Sequence, residues 1–288
     1  MTLTRKAIKI EKLTYTYPGQ VSPALREINL EIEYGEIAVI VGSTGCGKST
    51  LCLLLNGYIP NSIGGEMKGR VLVAGLDTRK HAISTLAQKV GIVFQIPETQ
   101  LFCATVLSEL TFGPENLSFP ADEILKRVEW AKKAVGLEGF EKRNPVRLSE
   151  GEKQKVALAA TLSVKPEILV LDEPTSELDP KETDEIFSLI GKLNEEYNVT
   201  IILTEHKEQA IELADKLILM KNGEIICQGE PHKVLSNRRK VKEACIRIPQ
   251  PTQLYYRLHD YGINLGRVPI KIDESYELLK NFLLYKRE

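Results

Sequence analysis

Gly42-Ser43-Thr44-Gly45-Cys46-Gly47-Lys48-Ser49-Thr50 fits the pattern G-x-x-x-x-G-K-[ST], with one more glycine, Gly45, inside the loop. Ile37-Ala38-Val39-Ile40-Val41 in front of it is a short apolar run suited to a buried strand, and Leu51-Cys52-Leu53-Leu54-Leu55 behind it continues as a buried helix. Strand, glycine loop and helix in that order predict a phosphate cradle in an α/β fold of the P-loop NTPase type. The glycines let main-chain N–H groups turn inward, Lys48 reaches the β- and γ-phosphates, and the Ser49 hydroxyl is placed for Mg2+. The helix N-terminus adds its positive dipole end. Cys46 lies inside this cradle, where the N–H groups and Lys48 are expected to lower its thiol pKa. A glycine-rich turn before a core helix is the plainer reading, and the complete pattern with both flanks argues against it.

The cradle alone does not separate kinases, GTPases and transport motors, so the choice falls to the rest of the 288 residues. With 43% hydrophobic residues the chain can bury a real core, as one large domain with an appendage or as two modest domains. Lys and Arg number 38 against 39 Asp and Glu, so no global charge asymmetry points to nucleic acid or to an anionic membrane surface. The local run Arg238-Arg239-Lys240-Val241-Lys242 reads as a solvated face rather than an anion-binding patch. Five cysteines, an odd number with no C-x-x-C pair, are expected to be reduced. The start, Met1-Thr2-Leu3-Thr4-Arg5-Lys6, leads into an alternating pattern rather than an apolar leader, and no apolar run approaches membrane-spanning length. A cytoplasmic protein is expected, with any membrane role carried by a partner.

Taken in order, Ile8 to Tyr17 and Leu25 to Ile32 alternate around a break at Pro18-Gly19, which predicts antiparallel strands. Tyr17 ends the first of them, positioned either to stack on a nucleotide base or to pack as a half-buried strand aromatic. Val90-Gly91-Ile92-Val93-Phe94 is a buried strand followed at once by Gln95, at the carboxyl end where such sheets hold their ligands. The proline-broken stretch after it, with Glu98, reads as a surface loop. Residues from about 105 to 165 change to helical spacing, a helical insert. Within them Ser149 and Glu152 predict a capping box, so the helix start at Ser149-Glu150-Gly151 is a second possible anion site. Ile168-Leu169-Val170-Leu171 is an apolar strand ending in Asp172 and Glu173, an order that suits a Mg2+ ligand followed by a water-activating base. Asp179-Pro180-Lys181-Glu182 starts another helix with Asp as cap, and Val199 to Thr204 is a further strand ending in Glu205-His206. Lys221-Asn222-Gly223-Glu224 is a hairpin turn. Beyond about Ser236 the composition shifts, marking a C-terminal extension over 236–288.

So assembled, the first 235 residues resemble the ATP-binding cassette (ABC) superfamily: the cradle, Gln95 as the Q-loop, Leu148 to Gln154 as the signature, Asp172-Glu173 as the Mg2+ and catalytic acids, Ser176-Glu177-Leu178-Asp179 as the D-loop, and His206 as the switch histidine. The resemblance implies an ABC ATPase nucleotide-binding domain over 1–235, with an antiparallel β subdomain and a helical subdomain at about 105–165. It implies ATP as substrate with Mg2+ held by Ser49, Gln95 and Asp172, and catalysis by Glu173, His206, Gln95 and Lys48. Nucleotide contacts are implied for Tyr17, for Gly42 through Thr50, and for Ser149, Gly151 and Asp179, the signature acting on the ATP of an opposite subunit. One cradle but two anion sites per chain implies a dimer, either a homodimer or a heterodimer with a second ABC ATPase.

Phe94 to Phe102, Thr105-Val106, Phe112-Gly113-Pro114-Glu115-Asn116 and the tail from Ile248-Pro249-Gln250-Pro251 look like the ATPases of energy-coupling-factor importers of vitamins or of cobalt and nickel ions. That likeness implies a peripheral place at the cytoplasmic face of the membrane, an integral coupling subunit meeting Glu98, and a substrate-capture membrane subunit. Lys155 stands where Arg is common, and Glu150 where the usual signature has its first Gly; the latter departure leaves room for an asymmetric pair with a second ATPase. The alternatives are another ABC importer class for small polar solutes, or a soluble ABC ATPase acting on nucleic acid. The latter would need a long coiled coil between cradle and signature, and only about a hundred residues separate Lys48 from Ser149. A small-molecule kinase would have no use for a signature helix or for Glu173.

Overall fold

The computed structural model describes residues 6–285, so the expectation about the extreme N-terminus falls largely outside it. Two sheets carry the fold. One is antiparallel with strand order β2-β1-β4-β5, from β1 (Lys6–Thr16), β2 (Leu25–Glu33), β4 (Glu66–Val73) and β5 (Leu76–Asp77). The other has six strands in the order β10-β9-β3-β8-β7-β6. They are β3 (Ile37–Gly42), β6 (Val90–Val93), β7 (Ile168–Asp172), β8 (Thr200–Glu205), β9 (Lys216–Lys221) and β10 (Glu224–Gly229). β3, β6, β7, β8 and β9 run parallel, and β10 returns antiparallel to β9 through Asn222-Gly223. Both turn residues have positive φ, +50° and +82°, as a two-residue hairpin turn requires.

β3 shows why the apolar run before the cradle had to be a central strand. All six of its residues are buried, and they divide by the period of two between two cores. Ile37, Val39 and Val41 face a core shared with the helices, while Ala38 and Ile40 face the one beneath the antiparallel sheet. Each buried valine or isoleucine among them contributes about 1.5–3 kcal/mol. The cradle strand is therefore clamped on both faces, and its carboxyl end is a fixed platform.

The helical stretch of the sequence forms Val106–Asn116, Ala121–Val135 and Glu150–Leu162. The second of these turns Ile124, Val128, Ala131 and Val135 inward and ends on Gly136 at φ +72°. The C-terminal stretch forms Arg238–Ala244, Gln250–Asp260 and Ile272–Tyr285, and its Val241, Ala244, Val268 and Ile270 enter the same core as the signature helix. No described helix is long and apolar enough to cross a membrane.

Candidate nucleotide-binding and hydrolytic site

Parallel pairing puts the carboxyl ends of β3, β6, β7 and β8 on one edge, from which the cradle, Gln95, Asp172, Glu173 and His206 all follow, while Tyr17 comes from the antiparallel sheet. Gly42 closes β3 where a Cβ would lie 2.3 Å from the Met220 carbonyl, so only glycine fits. Gly47 caps the helix Lys48–Leu55 at φ +107°, with no room for a Cβ beside Leu25. Between them Ser43, Thr44 and Gly45 are exposed, and the turn is closed by Cys46 N–H donating to the Ser43 carbonyl at 3.2 Å. The Lys48 side chain, 3% exposed, curls back to the Gly42 carbonyl at 3.1 Å. Ser49 is exposed on the first helical turn. Thr50 shares a hydrogen bond of 3.0 Å with the Tyr17 hydroxyl, which brings that half-buried ring to the cradle.

The Cys46 expectation is corrected. The side chain is 2% exposed, and burial pushes the thiol up, outweighing the downward pull of Lys48 and of the main-chain N–H groups. The sequence showed the neighbouring charge but not the packing of Sγ under the cradle.

Three side chains from distant parts of the chain converge on the exposed side of this platform. Glu173 Oε1 lies 3.2 Å from Lys48 Nζ and 2.9 Å from His206 Nε2, and Lys48 Nζ lies 3.2 Å from the same imidazole nitrogen. Glu173 is held in a left-handed conformation at φ +49°, which a non-glycine residue adopts only when its surroundings enforce it. The enforcing residue is Thr204, whose carbonyl and hydroxyl accept from Glu173 N–H at 3.1 and 3.0 Å. The same hydroxyl donates to Asp172 Oδ1 at 2.7 Å, fixing one oxygen of a carboxylate that is 6% exposed.

Sequence reasoning passed over Thr204, and it also passed over Glu205 and Lys207. Glu205, 2% exposed, accepts from the hydroxyl and N–H of Thr175 and from His206 N–H at 2.8 Å. Lys207 Nζ donates to the carbonyls of Thr175 and Leu178 and to the Thr183 hydroxyl. These two side chains tie the Ser176-to-Asp179 loop to the strand end that carries His206. The available signal was a charged pair flanking the histidine immediately after an apolar strand.

Gln95 is exposed just past β6. Its loop is pinned by Gln100, which accepts from Phe94 N–H at 2.8 Å and donates to the Ile92 carbonyl at 3.1 Å. Glu98 sits in a one-turn 3-10 helix, 57% exposed, and pairs with Lys153 of the signature helix. Lys153 also holds Glu150 at 2.8 Å, and both contacts raise its pKa, Glu150 the more. Glu98 and Glu150, separate oddities in the sequence, thus share one ammonium.

Ser149, Gly151 and Asp179 lie elsewhere, at two helix starts. Ser149 caps the helix Glu150–Leu162, and the capping box with Glu152 forms as the spacing predicted. Asp179 caps the helix Pro180–Tyr197, accepting from Glu182 N–H at 2.8 Å. Among the described residues no hydrogen bond or ion pair joins Ser149, Gly151 or Asp179 directly to Lys48, Glu173 or His206. Ser49, Asp172 and Gln95 offer a hydroxyl, a carboxylate and an amide oxygen, the hard donor types Mg2+ takes alongside substrate phosphates.

A sequence model of the family described as ABC transporter matches residues 25–176. A putative ABC transporter ATP-binding protein of Pyrococcus horikoshii is 44% identical over 274 residues, covering 95% of this chain and 96% of that one. The energy-coupling factor transporter ATP-binding protein EcfA of Methanothermobacter thermautotrophicus is 38% identical over 279 residues, covering 96% and 87%. Among solved structures, cbiO1 from Clostridium perfringens, part of the ABC transporter complex cbiONQ, superposes with a TM-score of 0.74 at 35% identity, over 90% of this chain and all of that one.

Proposed function

Because the chain belongs to the ABC transporter ATP-binding proteins, we propose that it is the ATP-hydrolysing motor of an energy-coupling-factor importer. The observation that carries this reading is the meeting of Lys48, Glu173 and His206 at the ends of three parallel strands, next to a buried Asp172.

In this reading the N–H groups of 42–47 and Lys48 bind the β- and γ-phosphates, with Tyr17 beside the base. Ser49, Asp172 and Gln95 hold Mg2+, which when bound neutralises phosphate charge. The γ-phosphate competes with Glu173 for the Lys48 ammonium, leaving the Glu173 carboxylate to His206 and to the attacking water. Glu173 accepts the proton of that water, and His206 contacts the transferred phosphoryl group. Ser149, Gly151 and Asp179 complete the site of a second ATPase, a further copy of this chain or a related one. We divide the chain into a nucleotide-binding domain, 1–235, and an extension, 236–288. The cargo is a vitamin or a cobalt or nickel ion, captured by a separate membrane subunit, and the ATPase works peripherally at the cytoplasmic face.

The test is Glu173→Gln. ATP binding is kept and Mg2+-dependent hydrolysis falls by about two powers of ten or more, the scale of a lost general base. Hydrolysis near the parent rate would refute the assignment.

A further inference from the structure

Ser149 Oγ and Gly151 N–H both donate to a single oxygen, Oε1 of Glu182, at 3.3 Å each. The carboxylate is packed against the glycine so closely that a Cβ there would lie 2.7 Å from it. Glu182 stands in the first turn of the helix Pro180–Tyr197 and reaches the first turn of the helix Glu150–Leu162, so two positive helix ends favour its charge. The donors it occupies belong to two of the residues that the proposed reading assigns to the ATP of a second ATPase, where a phosphate would take them.

We infer that Glu182 is an intramolecular stand-in for that phosphate, an acidic occupant of the signature that the partner's ATP must displace when two cassettes close. The inference rests on the paired-cassette reading above. One pair of donors cannot serve two anions, and a carboxylate left beside an incoming triphosphate repels it. Glu182 therefore sets the ATP concentration at which the pair closes. Among the described residues no hydrogen bond or ion pair joins it to the chain's own cradle.

The experiment uses the full chain with Glu173→Gln as parent, so that ATP is not consumed, and follows association of two copies by sedimentation over an ATP–Mg2+ titration. Glu182→Gln keeps the size of the side chain and removes its charge. Its half-maximal ATP concentration for association is expected to fall about tenfold, the scale of a relieved like-charge contact at an interface. Nucleotide affinity of the monomer, measured below the association range, stays at the parent value, which a general loosening of the fold around the cradle would not allow. An association midpoint equal to or above the parent's overturns the inference, as does a shift matched by the monomer's own affinity. A parent whose two copies do not associate on ATP removes the copy-with-copy form of the paired-cassette reading, and this inference, made for two copies of the chain, with it.

Discussion

Thr204→Val tests whether one buried hydroxyl organises both acids. Valine keeps the β-branched shape that suits β8 between its neighbours and removes only the hydroxyl. Asp172 then loses its 2.7 Å donor and keeps, among the described residues, no hydrogen-bond partner on that oxygen but the Cys52 thiol at 3.9 Å, whose pKa burial pushes far up. Glu173 N–H keeps its bond to the Thr204 carbonyl at 3.1 Å, so the strained turn survives while the Asp172 carboxylate is freed to rotate. A hydrogen bond to a charged buried group is worth about 2 kcal/mol. For a chain of this size that lowers the melting temperature by about 5 °C. If Asp172 holds Mg2+, the loss of an outer-shell partner also raises the Mg2+ concentration for half-maximal hydrolysis by about tenfold. Thermal melts and Mg2+ titrations of ATP hydrolysis read the two effects separately. Thr204→Ser retains the hydroxyl and is expected to stay near the parent in the Mg2+ titration. A valine variant that matches the parent in both measurements would refute the assignment.

Three further outcomes are expected. Native alkylation modifies exposed Cys245 well before Cys46, whose thiol burial keeps protonated at neutral pH; peptide mass spectrometry that found Cys46 modified first would contradict this. Glu141, held by Lys132 at a pKa of about 2 against an ordinary 4.5, contributes stability that is present above about pH 4.5 and lost as pH falls from there toward 2. Glu141→Gln therefore flattens the melting-temperature curve across that window, and an unchanged acid slope would count against the pair. Glu98→Arg leaves nucleotide binding intact but weakens co-purification with the membrane subunit and abolishes uptake; full recovery of complex and transport would remove Glu98 from that interface.

The parts legible in the sequence were those in which chemistry and its structural support are contiguous. The cradle carries its strand, its glycines and its lysine within 14 residues from Ile37 to Thr50, and the capping box needs only Ser149 and Glu152. The α/β class followed from the apolar runs before Gly42, Gln95, Asp172 and Glu205, since buried parallel strands read as unbroken hydrophobic stretches. What was not legible depends on distances across the fold. Lys48 and His206 are 158 positions apart, and nothing local says that their nitrogens approach to 3.2 Å. Cys46 was misread for the same reason, because desolvation is a property of packing and a neighbouring lysine is a property of sequence.

Lys153 shows how far one such contact can change a reading. From the sequence, Glu150 is a carboxylate intruding on a glycine position beside a phosphate site, and Glu98 is an acid on an exposed loop. The fold places both on one ammonium that is only 8% exposed, so Glu150 is charge-paired rather than free to repel an incoming phosphate. The same geometry makes the two acids rivals for a single cation. A partner arginine that draws Glu98 away leaves Lys153 wholly to Glu150, at the first turn of the helix whose Ser149 and Gly151 hold Glu182. On the proposed reading, the loop assigned to the membrane subunit and the helix end assigned to the second ATP thus share one buried lysine.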